Sequence, residues 1–275
     1  MRLPISLLLL GCVIGAQQGY DLSSRGFKAA QQAKAVSFAE PLVPSTQALR
    51  FLSLGDNQLA ADLLWIDTIQ YFGAGNPYGK YAALGPMLDR ITALDPQFEY
   101  PYEFGLVVLP YMDQSRTAVT LGLRAQDALP NNGLLTYYLA TVYHLDLKDY
   151  KNAATYYQKA SKEPGSPPAA VTLAGVSLSH LSDSLEDRVV ALAYWQTVYD
   201  NAKSDDERTR AKAWYDNTNN AYALEKAAAS FKDNRGRYPQ NFQELIDAKL
   251  IPSVPDSPIG LSYVLDPATG RVSFK

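Results

Sequence analysis

Apolar residues recur at three- and four-residue spacings through most of the chain, from about residue 45 to about residue 231. This spacing matches the α-helical turn and predicts a mainly α-helical protein. The first stretch opens at Ser45 or Thr46, either of which is a residue type that favours helix N-caps, and is interrupted at Gly55 and Asp56, which predicts two helices. The periodic apolar residues of this stretch are Leu49, Leu52, Leu59, Leu63, Ile66 and Ile69.

The pattern changes after Lys232. The segment NFQELIDAKL predicts one short helix, and proline-rich turns follow it. Two alternating runs, LSYVL and RVSF, are joined by the turn sequence DPATG and predict a β-hairpin. The expected fold class is therefore mainly α, with a small α+β module of one helix and one β-hairpin over residues 233–275.

Three segments of the helical region end in prolines at a constant separation. Pro130 lies 34 residues after Pro96, and Pro164 lies 34 residues after Pro130. The last of these units, TYYLATVYHLDLKDYKNAATYYQKASKEP, has small residues where paired helices approach and large ones between hairpins. The period and these positions resemble the tetratricopeptide repeat (TPR) family. The resemblance implies a solenoid of helical hairpins over residues 45–204, closed by a capping helix over residues 205–232.

In TPR proteins the first helix of each unit lines a concave groove that holds peptides or helices of partner proteins. The resemblance therefore implies a groove in this chain, and tyrosine suits it because its large amphipathic ring has few rotamers. The alternative is that the same tyrosines pack between hairpins. The implied groove residues are Tyr100, Glu103, Val107 and Tyr111 in the second repeat, and Tyr137, Thr141 and His144 in the third repeat.

Residues 1–16 hold a short apolar run behind one basic residue, Arg2, and predict an export signal. The sequence LLGC within this run resembles the lipobox of bacterial lipoproteins, which implies lipid attachment at Cys12. A conventional cleavage near Ala16 and an uncleaved segment with a chance cysteine are the alternatives. Residues 17–44 are polar and end in a proline-rich stretch, so they are expected to form a flexible tether.

The C-terminal module contains the ordered motifs GRYP, IPSVPDSP and DPATG. This order resembles the C-terminal part of pseudopilins and other type IV pilin-like proteins. Two departures limit the resemblance: the N-terminal pilin helix is missing, and the chain stops before the loop that binds calcium in those proteins. The resemblance implies a connection to a pilus or a related secretion machine, and no calcium site.

Composition and charge point away from nucleic acid and from acid–base chemistry. The net charge is −3, and no run of Lys and Arg is interleaved with aromatic residues. The chain has 19 tyrosines and 2 histidines, which favours packing and binding. The segments GAGNPYG and GVSLS fail as nucleotide-binding and nucleophile motifs, and His144 and His180 lack clustered metal ligands. No catalytic residue, cofactor or metal is therefore expected.

These observations predict a non-enzymatic scaffold for protein–protein interaction at the bacterial cell envelope. The protein is expected to be exported and anchored in the periplasm through its lipid, with the outer membrane preferred. Assistance in assembling a type IV pilus or a related secretion system is the implied role. The alternatives are an accessory docking subunit of an envelope enzyme or redox complex, and a permanent structural subunit of a large envelope assembly.

Overall fold

The structure is a computed structural model and describes residues 40–75, 81–181 and 184–275. These residues form eleven α-helices and one antiparallel sheet of two strands, which confirms a mainly helical fold with a C-terminal hairpin. The expected export signal, Cys12 and most of the expected tether lie outside the described residues. The elements are α1 Thr46–Leu52, α2 Asn57–Gly73, α3 Leu84–Leu94, α4 Glu99–Val108, α5 Ser115–Ala128, α6 Gly133–Thr141, α7 Tyr150–Ala160, α8 Ala169–His180, α9 Leu185–Asp200, α10 Asp205–Arg235, α11 Phe242–Asp247, β1 Tyr263–Leu265 and β2 Val272–Phe274.

The break between α1 and α2 is where the sequence predicts it. The side chain of Ser45 accepts a hydrogen bond from the amide of Ala48 at 3.2 Å, which caps the start of α1. Leu54 and Gly55 then adopt left-handed backbone conformations, with φ of 54° and 89°. Because an α-helix cannot continue through such residues, α1 ends there, and Asp56 caps α2.

The chain divides into two compact units, Met1–Leu94 and Asp95–Lys275. In the first unit, α2 packs against α3, and Leu84, Leu88 and Ile91 of α3 are fully buried. The polar Thr68 of α2 is also buried, because its hydroxyl donates to the carbonyl of Leu64 at 2.7 Å.

The second unit is built by helices that each pack against the next along the chain, from α4 to α10. Alanines occupy many of these contacts, and Gly175 of α8 is so close to the Trp195 indole that a Cβ there would lie 2.5 Å from it. Small residues at the contacts let the helix backbones approach, while the large buried rings fill the spaces between them. The fully buried alanines of these helices are Ala118, Ala125, Ala140, Ala153, Ala160, Ala170, Ala174, Ala191, Ala221 and Ala228.

Side-chain contacts in the second unit repeat at nearly constant sequence separation. The Asn132 amide donates to Glu99 at 2.6 Å, 33 residues away. The Lys159 ammonium donates to the Gln126 side-chain oxygen at 2.6 Å, again 33 residues away. Two pairs of residues with the same separation in the sequence therefore meet in space.

A buried ion pair ties the hairpin to the helices. Arg188 of α9 and Glu225 of α10 lie 3.0 Å apart (Nη2 to Oε1), with both side chains almost fully buried. Glu225 also accepts the amide of Val272 in β2 at 2.9 Å, and Arg188 donates to the backbone carbonyls of Ser179 and Val272. The two charged side chains are therefore paired with each other and with backbone groups of α8 and β2. These contacts fix the position of β2 against α8, α9 and α10.

Candidate functional site

The α4 stripe consists of Tyr100, Glu103, Val107 and Tyr111. Spacings of three and four residues place its members on one side of α4 and its continuation. The Tyr100 and Tyr111 side chains are 68% and 82% exposed, and Val107 is also exposed. The opposite side of α4 holds Tyr102 and is buried.

Pro110 shapes the end of this stripe. The sequence predicts that this proline bends or ends its helix, and α4 indeed stops at Val108 and passes into a 3₁₀ turn over Leu109–Met112. Asp113 follows in the left-handed conformation, with φ of 58°. Tyr111 therefore lies in the turn between two helices, where its ring projects into solvent.

The α6 stripe, Tyr137, Thr141 and His144, is half-buried instead. The Tyr137 ring lies 5.5 Å from that of Tyr157 in α7, and the Thr141 hydroxyl lies 3.0 Å from the Tyr157 hydroxyl. Helices α4 and α6, which carry the two stripes, contact each other. Of the seven predicted groove residues, Tyr100, Val107 and Tyr111 are exposed and Glu103 is half-buried, whereas the three of the α6 stripe are half-buried and pack against α7.

His144 lies in a π-helical turn, Val142–Leu147, that prolongs α6. Its Nδ1 atom is 2.8 Å from the hydroxyl of Ser177, and that hydroxyl donates to the Leu173 carbonyl at 2.8 Å. Which of the two atoms donates depends on the tautomer of the His144 ring. In this geometry the pair joins α6 to α8, and burial lowers the pKa of His144.

His180 lies in an aromatic cluster beside this pair. Its ring stacks on Tyr150 with centroids 4.7 Å apart, and it lies 6.0 Å from the His144 ring and 5.4 Å from Phe274. Burial, followed by the charges of His144, Arg188 and Lys148, lowers the pKa of His180 to about 4. In the described part of the chain, no three His, Cys, Asp or Glu side chains are grouped to hold a metal ion.

A second exposed surface lies in the first unit. We call Leu59, Leu63 and Ile66 the outer face of α2; these side chains are 49%, 56% and 50% exposed. The spacing of these residues correctly predicts the helix, but the residues lie on the side of α2 that faces solvent. A groove of about 580 Å³ continues from this face and is lined mainly by Leu42, Leu49, Leu52, Leu59, Leu63 and Met87.

Sequence reasoning missed the outer face of α2 and the ion pair of Arg188 and Glu225. The signal for the first is that apolar residues occur on every side of α2, more than one buried face requires. The ion pair carries no local signal, since its members are 37 residues apart.

No protein-family model, no curated protein and no solved structure matches the chain. Among the helices of the described ranges, none combines the length and apolar character needed to cross a membrane.

Proposed function

We propose that this protein is a non-enzymatic scaffold in which helices α4 to α9 belong to the TPR-type solenoid expected over residues 45–204, with a groove that holds an extended segment of a partner protein. The repeated side-chain contacts support the solenoid. Residues at 33-residue separation meet in three places, Glu99 with Asn132, Gln126 with Lys159 and His144 with Ser177. A stack of helical hairpins with a 34-residue period brings such positions together.

The exposure of the α4 stripe is the main observation in support of the proposed binding function. Tyr100 and Tyr111 expose most of their rings, although Tyr102 and Tyr157 in the same unit are buried. A large exposed ring can bury apolar area against a peptide backbone while its hydroxyl makes hydrogen bonds. The Glu103 carboxylate lies between them on the stripe and favours a segment that carries a basic residue or backbone donors there.

The cellular setting is proposed from the sequence. The lipobox resemblance at Cys12 supports export and a lipid anchor in the periplasm, with the outer membrane preferred. The pseudopilin resemblance of residues 233–275 supports a partner from a type IV pilus or a related secretion system.

The partner is tested by cross-linking in intact cells, affinity purification and mass spectrometry. The wild-type chain is compared with the double variant Tyr100→Ala/Tyr111→Ala, and Leu123→Ala in α5 is the control because Leu123 is also exposed. We expect pilus or secretion subunits to copurify with the wild type and the control, and to be lost from the double variant. Equal recovery from all three proteins would refute the groove, and a metabolic or redox complex in their place would refute the pilus assignment.

The anchor is tested by fractionating cells that express Cys12→Ser. We expect this variant to leave the membrane fraction, because a signal without its lipid attachment site cannot place acyl chains in the bilayer. Retention of the variant in the membrane fraction would show that something other than a lipid on this cysteine holds the protein.

A further inference from the structure

Helix α2 is apolar on two opposite sides. Leu64 and Thr68 are buried against the first unit, and the outer face of α2 points away from them. A helix that is apolar all round is normally enclosed on every side. Scattered exposed leucines are common on protein surfaces, but here three large aliphatic side chains form one contiguous line.

The spacing within that line is that of a helix-pairing seam. Leu59, Leu63 and Ile66 are separated by four and then three residues, which is the alternation of the a and d positions in a coiled coil. Gln70 continues the alternation at the next position. The leucine-lined groove beside the seam gives a facing helix room for large side chains.

The charges beside the seam define its occupant. Asp62 lies next to Leu59 and Ile66 on one side, Asp67 lies next to Leu63 on the other, and both are exposed. The sequence of α2 has no Lys or Arg. A second copy of α2 would bring aspartates against aspartates, and an anionic membrane surface attracts basic flanks rather than acidic ones.

We propose that the outer face of α2 binds an amphipathic α-helix of a partner protein whose apolar seam is flanked by Lys or Arg. The leucines and isoleucine supply the apolar contact, and Asp62 and Asp67 select the basic flanks. This site is independent of the groove proposed for the α4 stripe, and the variants that test the two are different.

The probe is a synthetic helical peptide of about three heptads with Leu at a and d and Lys at e and g. Two further peptides are compared with it: one has Glu in place of Lys, and one has the same composition scrambled so that the seam is lost. Binding of each peptide to the full-length protein is measured by calorimetry. We expect the Lys peptide to bind at least about tenfold more tightly than either other peptide.

The protein variants test each part of the proposal. Leu63→Gln is expected to weaken the Lys peptide at least about tenfold, whereas Val190→Gln on α9, an equally exposed apolar position, should leave it unchanged. The charge swap Asp62→Lys/Asp67→Lys should reverse the preference toward the Glu peptide. Circular dichroism confirms that each variant is folded, which exposed substitutions permit.

Several results would overturn the proposal. Equal binding of the Lys and scrambled peptides, or a Lys peptide that binds Leu63→Gln as well as wild type, would show only general attraction to an acidic protein. Self-association in sedimentation that Leu63→Gln abolishes would identify a second copy as the occupant. Flotation with vesicles of phosphatidylcholine and phosphatidylglycerol that depends on Leu63, in protein lacking its lipid, would identify the membrane.

Discussion

Helices α2 and α10 distribute polar and apolar side chains in opposite ways. On α2, four large aliphatic residues are exposed: the outer face of α2 and the neighbouring Ile69. On α10, Asn217, Thr218 and Glu225 are buried, and Asn217 Oδ1 accepts hydrogen bonds from Ser257 and Tyr263 at 2.8 Å each. Buried polar groups with partners specify one arrangement of the neighbouring elements. Exposed apolar groups contribute little to folding, and we therefore attribute those on α2 to binding.

The largest effect on stability is expected at the buried ion pair of Arg188 and Glu225. Arg188→Ala should lower the free energy of unfolding by about 3 to 5 kcal/mol, because it leaves the buried Glu225 carboxylate with only the more distant Arg271 guanidinium, 4.0 Å away, as a counter-ion. Denaturant unfolding measures this change. The double variant Arg188→Met/Glu225→Leu is the control and should lose less than Arg188→Ala alone, since no unpaired charge remains. A single variant as stable as the wild type would contradict the role given to this pair.

Two neighbouring leucines of α2, Leu63 and Leu64, lie on its exposed and buried faces and allow the stability contributions of the two faces to be compared. Leu64→Ala should cost roughly 2 to 5 kcal/mol, because Leu64 is only 7% exposed and its loss leaves a cavity. Leu63→Ala removes the same atoms from a side chain that is more than half exposed and should change the unfolding free energy by less than about 0.5 kcal/mol. Equal losses at the two positions would show that Leu63 belongs to the core.

Two glycines test how closely the helices of the second unit approach. A Cβ at Gly175 would meet the Trp195 indole at 2.5 to 2.8 Å, so Gly175→Ala should cost about 1 to 3 kcal/mol. A Cβ at Gly122 would meet the mobile ends of Leu106 and Leu139 first, at 2.9 and 2.8 Å, so Gly122→Ala should cost less. Thermal unfolding of both variants compares them, and a milder effect at Gly175 would refute the tight contact of α8 with α9.

The histidine cluster makes stability depend on pH. Because burial lowers the pKa of His180 from 6.5 to about 4, the unfolded chain binds more protons between these values. The unfolding free energy should therefore fall as the pH falls from 6.5 toward 4, by at most about 1.4 kcal/mol per pH unit for one proton. His180→Phe keeps a ring against Tyr150 and should show a shallower slope between pH 6.5 and 5. A variant with the wild-type slope would exclude His180 as the source.

The smallest effect on stability is expected at the α4 stripe. Tyr100→Ala and Tyr111→Ala should each change the unfolding free energy by less than about 0.5 kcal/mol, because both rings are largely exposed. Tyr137→Ala should cost more, since its ring packs against Tyr157. If all three variants lose the same stability in denaturant unfolding, the α4 stripe is part of the core and cannot serve as a free binding surface.

The sequence predicts the helices and the hairpin well, because their signals are local. Ser45 and Asp56 cap the helices that follow them, and the turn DPATG joins β1 to β2. Which face of a helix is buried is harder to predict when apolar residues surround it, as on α2. A contact between distant residues, such as Arg188 with Glu225, depends on how helices pack and leaves no pattern in the neighbouring sequence.

The residues of the predicted groove also show that the sequence alone does not distinguish a buried side chain from an exposed one. Tyrosine is suited both to packing and to binding, so the sequence gives Tyr111 and Tyr137 the same role. In the structure Tyr111 projects from a turn, whereas Tyr137 packs against Tyr157 of the next helix. Pro110 marks the turn that holds Tyr111, but the burial of Tyr137 depends on the position of α7, which follows from tertiary packing.

Site-specific photo-cross-linking in intact cells tests most directly whether the exposed apolar side chains of α2 and α4 mark binding surfaces. A photoreactive amino acid replaces Leu63 or Tyr111, and in control proteins it replaces Leu123 or Val190, which are also exposed. We predict discrete partner adducts from positions 63 and 111 and none from 123 and 190. Adducts of equal yield from all four positions, or from none, would contradict the account.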